Sequence, residues 1–394
     1  MNHKIILADV IDGLRSLENQ SVQCVVTSPP YWGLRDYGVE GQIGLEKTPE
    51  EYITKMVEVF REVKRVLRDD GTLWLNIGDC YATNGVYIGK YKETHPEHQD
   101  LHTKNSERYQ NRKGVRGGEY QLKAKDLVGI PWRLAFALQA DGWYLRSDII
   151  WSKPNPMPES VTDRPTKAHE YIFLLTKKAK YFYDADAVRE AQTGTAHSRG
   201  KGATPKGELA EKTNRANNSF HVATSKYLEV PGGRNRRTVW EIATQPTTEA
   251  HFATFPDALV EPCIKAGTSE RGCCPKCRAP WKRVVEVSGG TIGKSWHPHE
   301  NDAETGQIAG MSMEGYQRQT TGWEKTCECG YYPIPCVVLD PFGGSGTVAD
   351  VARRLGRSSI LIEINEEYVN IMKKRLRFTE QLDTGVCTCE VIKV

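Results

Sequence analysis

The sequence lacks any apolar run of about 20 residues, the length that a helix needs to cross a bilayer. Its first apolar run is short and is interrupted by Asp9 and Asp12, so it does not have the pattern of a secretory signal. These absences exclude a helical membrane protein and predict a cytoplasmic location with no membrane partner.

The sequence also lacks a large excess of charge of either sign, because it has 53 Lys and Arg and 50 Asp and Glu, which give a net charge of +3. This balance does not by itself indicate nucleic-acid binding, so an electrostatic argument must rest on local clusters. The sequence has no internal repeat, which excludes a solenoid.

What is present is typical of a globular α/β protein. Of the 394 residues, 39% are hydrophobic and 26% are charged, enough to bury a large core. Short apolar runs such as KIILADV and SVQCVVT predict strands, and they alternate with segments of helical period. The clearest helix is predicted after Thr48 as N-cap, with Pro49 in its first turn and Gly71 closing it. The alternation predicts a mostly parallel sheet with helices on both faces.

One turn with residues suited to catalysis is Thr27-Ser28-Pro29-Pro30-Tyr31-Trp32, directly after a strand. The lone pair of an amine on an aromatic base is delocalised, so a catalyst must accept hydrogen bonds from its N–H groups. The Ser28 hydroxyl and the Pro29 carbonyl could accept them, and Tyr31 offers a face for a stacked base. The alternative is a structural turn with buried aromatics.

A second turn, Asp340-Pro341-Phe342-Gly343-Gly344-Ser345-Gly346-Thr347, joins a strand to a helix. Glycines allow a close approach to a ligand, and Glu363 ends the next strand, where a carboxylate can accept ribose hydroxyls. This setting predicts a nucleoside cofactor rather than a tight structural turn. The turn has no Gly-Lys-Ser/Thr, which excludes a nucleoside-triphosphate P-loop here.

Most of the chain resembles the site-specific DNA methyltransferases that modify cytosine N4 or adenine N6. The resemblance rests on these segments: ILADVIDGLRSL, CVVTSPPYW, RPTKAHEYIFLLTK, RTVWEIAT, FPDALVEPCIKAGT and VLDPFGGSGTVADVARRLGRSSILIEINEEYV. The Pro-Pro-Tyr turn precedes the glycine-rich turn, as in the permuted β group. The resemblance implies a circularly permuted, Rossmann-like S-adenosylmethionine-dependent methyltransferase fold with a mostly parallel sheet, carrying basic insertions and a Cys-rich insertion. It also implies double-stranded DNA as partner and a flipped target base.

The resemblance also implies roles for residues. The catalytic turn would be Ser28, Pro29, Pro30 and Tyr31. The cofactor would be held by Asp9, Thr27, Asp340, Phe342, Gly343, Gly344, Ser345, Gly346, Thr347 and Glu363. For Asp9 the alternative is an exposed acid at a strand end. Lys153, Asn155 and Arg164 would lie near the base pocket, with loop and core polar residues as the alternative.

The target atom is predicted from Ser28. Family members that act on adenine usually carry Asp or Asn at this position, whereas those that act on cytosine usually carry Ser, so cytosine N4 is favoured over adenine N6. Two further hypotheses stay open: a methyltransferase of RNA or of protein glutamine, and a homologue that binds DNA without catalysis.

The domain organisation follows from changes in composition. The predicted parts are catalytic regions at 1–82 and 126–189, a basic insertion at 83–125, a target-recognition region at 190–237, a return to the core at 238–267, a Cys-rich insertion at 268–333 and a cofactor-binding part at 334–394.

Eleven cysteines are many for a cytoplasmic chain, and they are clustered. Cys274, Cys277, Cys327 and Cys329 form two close pairs, which predicts a structural Zn²⁺ site; reduced cysteines without a metal are the alternative. Cys273 could replace Cys274, and His297 and His299 are the weaker ligand candidates.

Basic residues cluster in the two polar segments, and in a DNA-modifying enzyme they predict contact with DNA; solvated loops with excess charge are the alternative. They are Lys104, Arg108, Arg112, Lys113, Arg116, Arg199, Lys201, Lys206, Arg215, Lys226, Arg234, Arg236 and Arg237. The sequence predicts a prokaryotic or phage-encoded, nucleoid-associated enzyme of restriction-modification that modifies DNA and has no nuclease motif of its own. The sequence leaves open whether the enzyme forms a homodimer and which DNA sequence it recognises.

Overall fold

A computed structural model describes residues 1–33, 41–82, 123–191, 233–245, 255–288, 317–376 and 388–394. Almost all of the predicted basic insertion lies outside these residues, and so does every basic residue predicted to contact DNA except Arg234, Arg236 and Arg237. The chain forms two compact units. The larger unit comprises Met1–Asp184, Arg237–Trp281 and Lys325–Val394, and the smaller comprises Ala185–Arg236 and Lys282–Glu324.

Eleven strands are described along the chain. They are β1 (Asn2–Leu7), β2 (Val22–Thr27), β3 (Leu67–Ile77), β4 (Tyr144–Ser152), β5 (His169–Thr176), β6 (Val239–Glu241), β7 (Lys282–Ser288), β8 (Gln317–Glu324), β9 (Val337–Asp340), β10 (Ser358–Glu363) and β11 (Thr388–Lys393).

The larger unit contains a nine-stranded sheet in the order β11-β1-β10-β9-β2-β3-β5-β4-β6. All neighbouring pairs are parallel except β3–β5 and β5–β4, so the predicted mostly parallel sheet is confirmed. From β9 the chain moves towards one edge of the sheet, and from β2 it moves towards the other. The strand order therefore reverses between β9 and β2, where open α/β sheets bind their ligands.

Helices cover both faces of this sheet. They are α1 (Val10–Arg15), α2 (Pro49–Val66), α3 (Ile130–Ala140), α4 (Asp257–Gly267), α5 (Thr347–Arg354) and α6 (Glu366–Arg375). Successive strand residues alternate between two cores, because Ile6 and Ile362 pack with α1–α3 whereas Ile5 and Leu361 pack with α5 and α6. Among the described residues, no helix combines the length and the apolarity that a membrane crossing requires.

Helix α2 begins as predicted but ends earlier. Thr48 Oγ1 accepts the Glu51 N–H at 2.9 Å, and Pro49 follows in the first turn. The prediction that Gly71 closes the helix is wrong, because the helix ends at Val66 and Gly71 lies inside β3. A Cβ at Gly71 would approach the Gln23 carbonyl oxygen to 2.8 Å, so glycine is needed here for close strand packing.

The smaller unit contains the antiparallel pair β7–β8 and a single 3₁₀ turn, Asp186–Val188, among its described residues. The Arg318 guanidinium bonds both oxygens of Asp186, at 2.7 and 3.0 Å. Arg234 pairs with Glu190 at 2.9 Å, and their backbones form a bridge. Within this unit, ion pairs therefore tie segments that are far apart in the chain.

Candidate active site

The two turns singled out in the sequence meet at the point where the strand order reverses. The Ser28–Tyr31 turn follows β2 and the glycine-rich turn follows β9, its direct neighbour. Both turns line one cavity of about 910 Å³ in the larger unit. Its lining includes these predicted site residues: Asp9, Ser28, Pro29, Pro30, Tyr31, Asp340, Phe342, Gly343, Gly344, Ser345, Thr347 and Glu363.

A buried hydrogen bond joins the two turns. Thr27 Oγ1 donates to Asp340 Oδ1 at 2.7 Å, and the same oxygen accepts the Phe342 N–H at 3.1 Å. Burial raises the pKa of Asp340 to about 8, against the lowering effect of these two bonds. Thr27 itself is buried behind the cavity and does not line it. Thr27 and Asp340 therefore fix the relative position of the two turns.

The glycine-rich turn is shaped by backbone that only glycine adopts readily. Gly344 and Gly346 have φ of +50° and +79°, and Gly346 begins helix α5 without lining the cavity. A Cβ at Gly343 would lie 2.7 Å from Met372 Cε, so the turn packs tightly against helix α6. These glycines let the turn's backbone form part of the cavity wall.

Two predicted carboxylates hold backbone at the same cavity. Glu363 accepts the Gly344 N–H through one oxygen and the Asn365 N–H through the other, each at 2.9 Å. Burial raises the pKa of Glu363, while these backbone bonds lower it. Asp9 caps helix α1 by accepting the Ile11 N–H at 2.8 Å. Each carboxylate oxygen has a second lone pair, so both residues retain capacity to accept hydrogen bonds.

Tyr31, in the wall of the same cavity, is held by a network of polar side chains. Its hydroxyl donates to Glu170 Oε2 at 2.8 Å, and Ser28 Oγ donates to Tyr31 at a longer 3.4 Å. Burial, and then the nearby Glu170 carboxylate, raise the pKa of Tyr31 well above its usual value. Gly78 makes room for the ring, because a Cβ there would lie 2.6 Å from Tyr31 Cε2.

Glu170, Gly78 and Lys167 line the cavity but were missed in the sequence. Glu170 pairs with Lys153 at 2.5 Å and accepts Asn76 Nδ2 at 3.3 Å. Lys167 donates to the Asp79 carbonyl at 2.8 Å, and burial lowers its pKa. The signals in the sequence were the charged KAHE run at the start of strand β5 and its place in the segment RPTKAHEYIFLLTK, and charge at a strand end is common.

The residues predicted near the base pocket divide into two groups. Lys153 and Asn155 line the cavity. Arg164 does not; its guanidinium pairs with Glu159 at 2.6 Å and lies 3.9 Å from the centre of the Tyr81 ring. Arg164 therefore supports the cavity wall through Glu159, which does line it.

The four cysteines predicted as metal ligands lie together. The sulfur atoms of Cys274, Cys277, Cys327 and Cys329 are all within 4.8 Å of one another. Cys273 is not in this group; its thiol faces the Pro335 carbonyl instead. His297 and His299 lie outside the described residues.

Comparisons with known proteins agree with this geometry. The family model described as "DNA methylase" matches residues 22–274 and 336–374. The Type II methyltransferase M.Cfr9I of Citrobacter freundii is 39% identical over 370 residues, which are 94% of this chain and 86% of that protein. The Type II methyltransferase M.SmaI of Serratia marcescens is 38% identical over 95% of this chain and 90% of its own length.

A similar fold occurs in a solved structure. PvuII DNA methyltransferase (cytosine-N4-specific) aligns with a TM-score of 0.51 and 15% identity, over 97% of this chain and 90% of its own. At that identity the likeness shows the fold, which is the Rossmann-like α/β fold predicted from the sequence. With the family model matching most of the chain and Type II methyltransferases similar over nearly all of it, the protein belongs to the DNA methylase family.

Proposed function

We propose that this enzyme transfers a methyl group from S-adenosylmethionine to N4 of a cytosine flipped out of double-stranded DNA. One observation carries the proposal: the Ser28–Tyr31 turn and the glycine-rich turn line the same cavity. The bond between Thr27 and Asp340 sets their spacing. A methyl donor on one turn and a base on the other would then meet in a fixed geometry, which is a large part of catalysis without a covalent intermediate.

The Ser28 turn suits an exocyclic amine. The Ser28 hydroxyl proton points to Tyr31, so the serine lone pairs can accept a hydrogen bond from the amine. The Pro29 carbonyl can accept the second N–H, and the Tyr31 ring can stack on an extruded base. Together these contacts localise the lone pair on nitrogen, where it is needed for attack on the methyl group.

Two features favour cytosine over adenine. The Ser28 hydroxyl stands where adenine-specific relatives usually have a carboxylate or an amide. Lys153 and Lys167 also line the cavity and carry cationic donors. Beside its amine, cytosine presents two acceptors, N3 and O2, whereas adenine presents N1 and then a C–H. Adenine N6 is the alternative target.

The cofactor side suits a nucleoside. S-adenosylmethionine supplies, when bound, a methyl group activated by its sulfonium sulfur. Glu363 can accept ribose hydroxyls through the lone pairs that Gly344 and Asn365 leave unused. Phe342 and Ile362 add apolar surface to the same wall. Asp9 corresponds to an aspartate that lies near the cofactor adenine in relatives of this pattern, and it also lines the cavity.

The decisive experiment is mass spectrometry of nucleosides from duplex DNA incubated with the enzyme and labelled S-adenosylmethionine, with RNA and protein as competing acceptors. We expect label in 4-methylcytosine. Label in 6-methyladenine would overturn the choice of base, and label only in RNA or protein would overturn DNA as substrate. Absence of label from every acceptor would favour a homologue without catalysis.

Variants of the base-binding turn test the mechanism in the same assay. Tyr31→Ala should lower the rate about 1,000-fold and Ser28→Ala about 100-fold, since each removes a contact to the reacting base. Cofactor binding should persist in both. Tyr144→Ala is the control, because Tyr144 is 47% exposed at the start of β4 and does not line the cavity. Normal turnover of Tyr31→Ala would contradict the stacking role.

A further inference from the structure

Four cysteines of the larger unit come from two chain segments that are about 50 residues apart. Cys274 and Cys277 follow helix α4, and Cys327 and Cys329 follow strand β8. Their sulfur atoms lie within 4.8 Å of one another, and none of them forms a disulfide. Thiolates about 2.3 Å from a tetrahedral zinc ion are about 3.8 Å apart, so small side-chain movements close this set around one ion.

The first pair lies on a turn that is ordered by its own backbone. The Arg278 N–H donates to the Cys274 carbonyl and the Cys274 N–H donates to the Ala279 carbonyl, both at 2.9 Å. Arg278 has φ of +61°, an unusual value for a residue with a side chain. On the second segment, Thr326 Oγ1 donates to the Pro280 carbonyl at 2.6 Å. We call residues 274–280 and 326–329 the cysteine knuckle.

The cysteine knuckle is attached to the sheet at the amino ends of its central strands. The Arg68 guanidinium donates to the Cys277 carbonyl and pairs with Asp70 at the start of β3. Gln23, at the start of β2, donates to the Arg278 carbonyl at 3.3 Å and accepts the Val337 N–H at 2.7 Å. The ligand-binding cavity lies at the opposite, carboxyl ends of β2 and β9. A six-residue strand spans roughly 17 Å, so the two sites are separate.

We propose that the cysteine knuckle binds one structural zinc ion. Four thiolates fill a tetrahedral coordination sphere and leave no position for water or substrate, so the ion has no part in catalysis. Its role is to cross-link the segment that enters strand β7 to the segment that leaves strand β8, and thereby to close a long loop. Three of the four cysteines lie within residues 275–335, which the family model leaves out, and Cys274 is the last residue matched before that gap.

The test uses the full chain, purified under reducing conditions without chelators. Elemental analysis should find about one zinc per chain. After removal of the metal, addition of Co²⁺ alone should produce the intense near-ultraviolet absorption of cobalt–thiolate bonds together with the visible bands of a tetrahedral ion. Cys277→Ser and Cys329→Ser should lose the zinc, whereas the control Cys80→Ser, a half-buried cysteine outside the group, should keep it.

The expected consequence of zinc loss is thermal. Tm should fall by several degrees, while kcat of the remaining folded enzyme should stay within about threefold. Absence of zinc with no cobalt–thiolate absorption would overturn the proposal even if the serine variants fail to fold. An intact mass lower by about 2 or 4 Da, which indicates disulfides, would overturn it as well. A strong kcat loss that tracks zinc content would contradict the structural role.

Discussion

The two ends of the central sheet use polar side chains in opposite ways. At the carboxyl ends of the strands, the buried Asp340 and the half-buried Glu363 have raised pKa values, and both line a cavity. At the amino ends, Gln23 and Arg68 direct their hydrogen bonds to the backbone of neighbouring segments. The carboxyl ends keep hydrogen-bonding groups that a ligand could use. The amino ends use theirs to hold neighbouring segments of the chain together.

This difference distinguishes a binding site from a structural junction. Burying a carboxylate costs free energy unless it is fully paired, so a protein that keeps such groups beside a cavity gives up stability there. The amino end contains the cysteine knuckle, whose atoms are already connected by short backbone bonds. Substitutions at the two ends should therefore change different properties.

Outside the Ser28–Tyr31 turn, the largest effect is expected at Glu363. Glu363→Ala should weaken S-adenosylmethionine binding about 100-fold, because it removes the acceptor proposed for the ribose hydroxyls and leaves the Gly344 and Asn365 N–H groups without their partner. Calorimetry on the folded variant measures this. Glu366→Ala is a matched control, since Glu366 pairs with Lys393 on the surface. Equal affinity in wild type and Glu363→Ala would remove the ribose assignment.

Asp340 should make the free energy of unfolding decrease towards alkaline pH. Its pKa is about 8 in the folded chain, against 3.8 for an unperturbed aspartate, so the folded state holds the extra proton between these values. The free energy of unfolding should therefore fall as the pH rises from about 4 to about 8. Between pH 6 and pH 8, wild type should lose about 2 kcal/mol more than Asp340→Asn.

Denaturant titrations of the ligand-free enzyme at several pH values measure this difference. Asp12→Asn, which alters an exposed carboxyl, should behave as wild type. Identical pH profiles for wild type and Asp340→Asn would show that Asp340 does not retain its proton in the folded state.

Glu170 is predicted to position Tyr31 rather than to react. Glu170→Gln should lower kcat about 10-fold with a smaller change in cofactor affinity, because the amide is a weaker acceptor for the Tyr31 hydroxyl. Tyr31→Phe removes the same bond from the other side. In a double-mutant cycle the two effects should not add. Additive losses would mean that Glu170 acts through another contact, such as its pair with Lys153.

The smallest effect is expected at the amino end of the outer strands. The His3 ring bonds Ser359 Oγ at 2.8 Å, and its other nitrogen has no partner among the described residues. Burial lowers the pKa of His3 from 6.5 to about 4, so the unfolded chain binds the proton first as the pH falls. Wild type should lose about 1 kcal/mol more than His3→Leu between pH 7 and pH 5.5. Parallel unfolding curves for the two proteins would contradict this.

Local patterns in the sequence were sufficient for the framework of the sheet and for both turns. The strand before Ser28 and the strand before Asp340 could be predicted because each is a continuous apolar run, as buried parallel strands usually are. Glu363 could be placed because it ends the strand after the glycine-rich turn. The mostly parallel sheet predicted from these elements is confirmed.

Features that depend on distant partners could not be predicted in this way. Glu170 belongs to the site only because β5 pairs with β3, which places it beside Tyr31 across 139 residues of sequence. In the sequence, Gly71 has the pattern of a helix end. Only the folded sheet shows that a Cβ at this position would meet the Gln23 carbonyl. Strand β6 has only three residues and is too short for periodicity to distinguish it from a loop.

The order of the strands has a consequence for how the protein is synthesised. Strands β9 and β10 stand between β2 and β1 in the sheet, yet they are translated long after both of these strands. When a ribosome has reached residue 336, the Ser28–Tyr31 turn has been synthesised, but neither of the two strands that join β2 to β1 in the sheet has been. The nine-stranded sheet can therefore form only after these late strands have been translated, and a product that terminates before them contains the Ser28–Tyr31 turn without the glycine-rich turn.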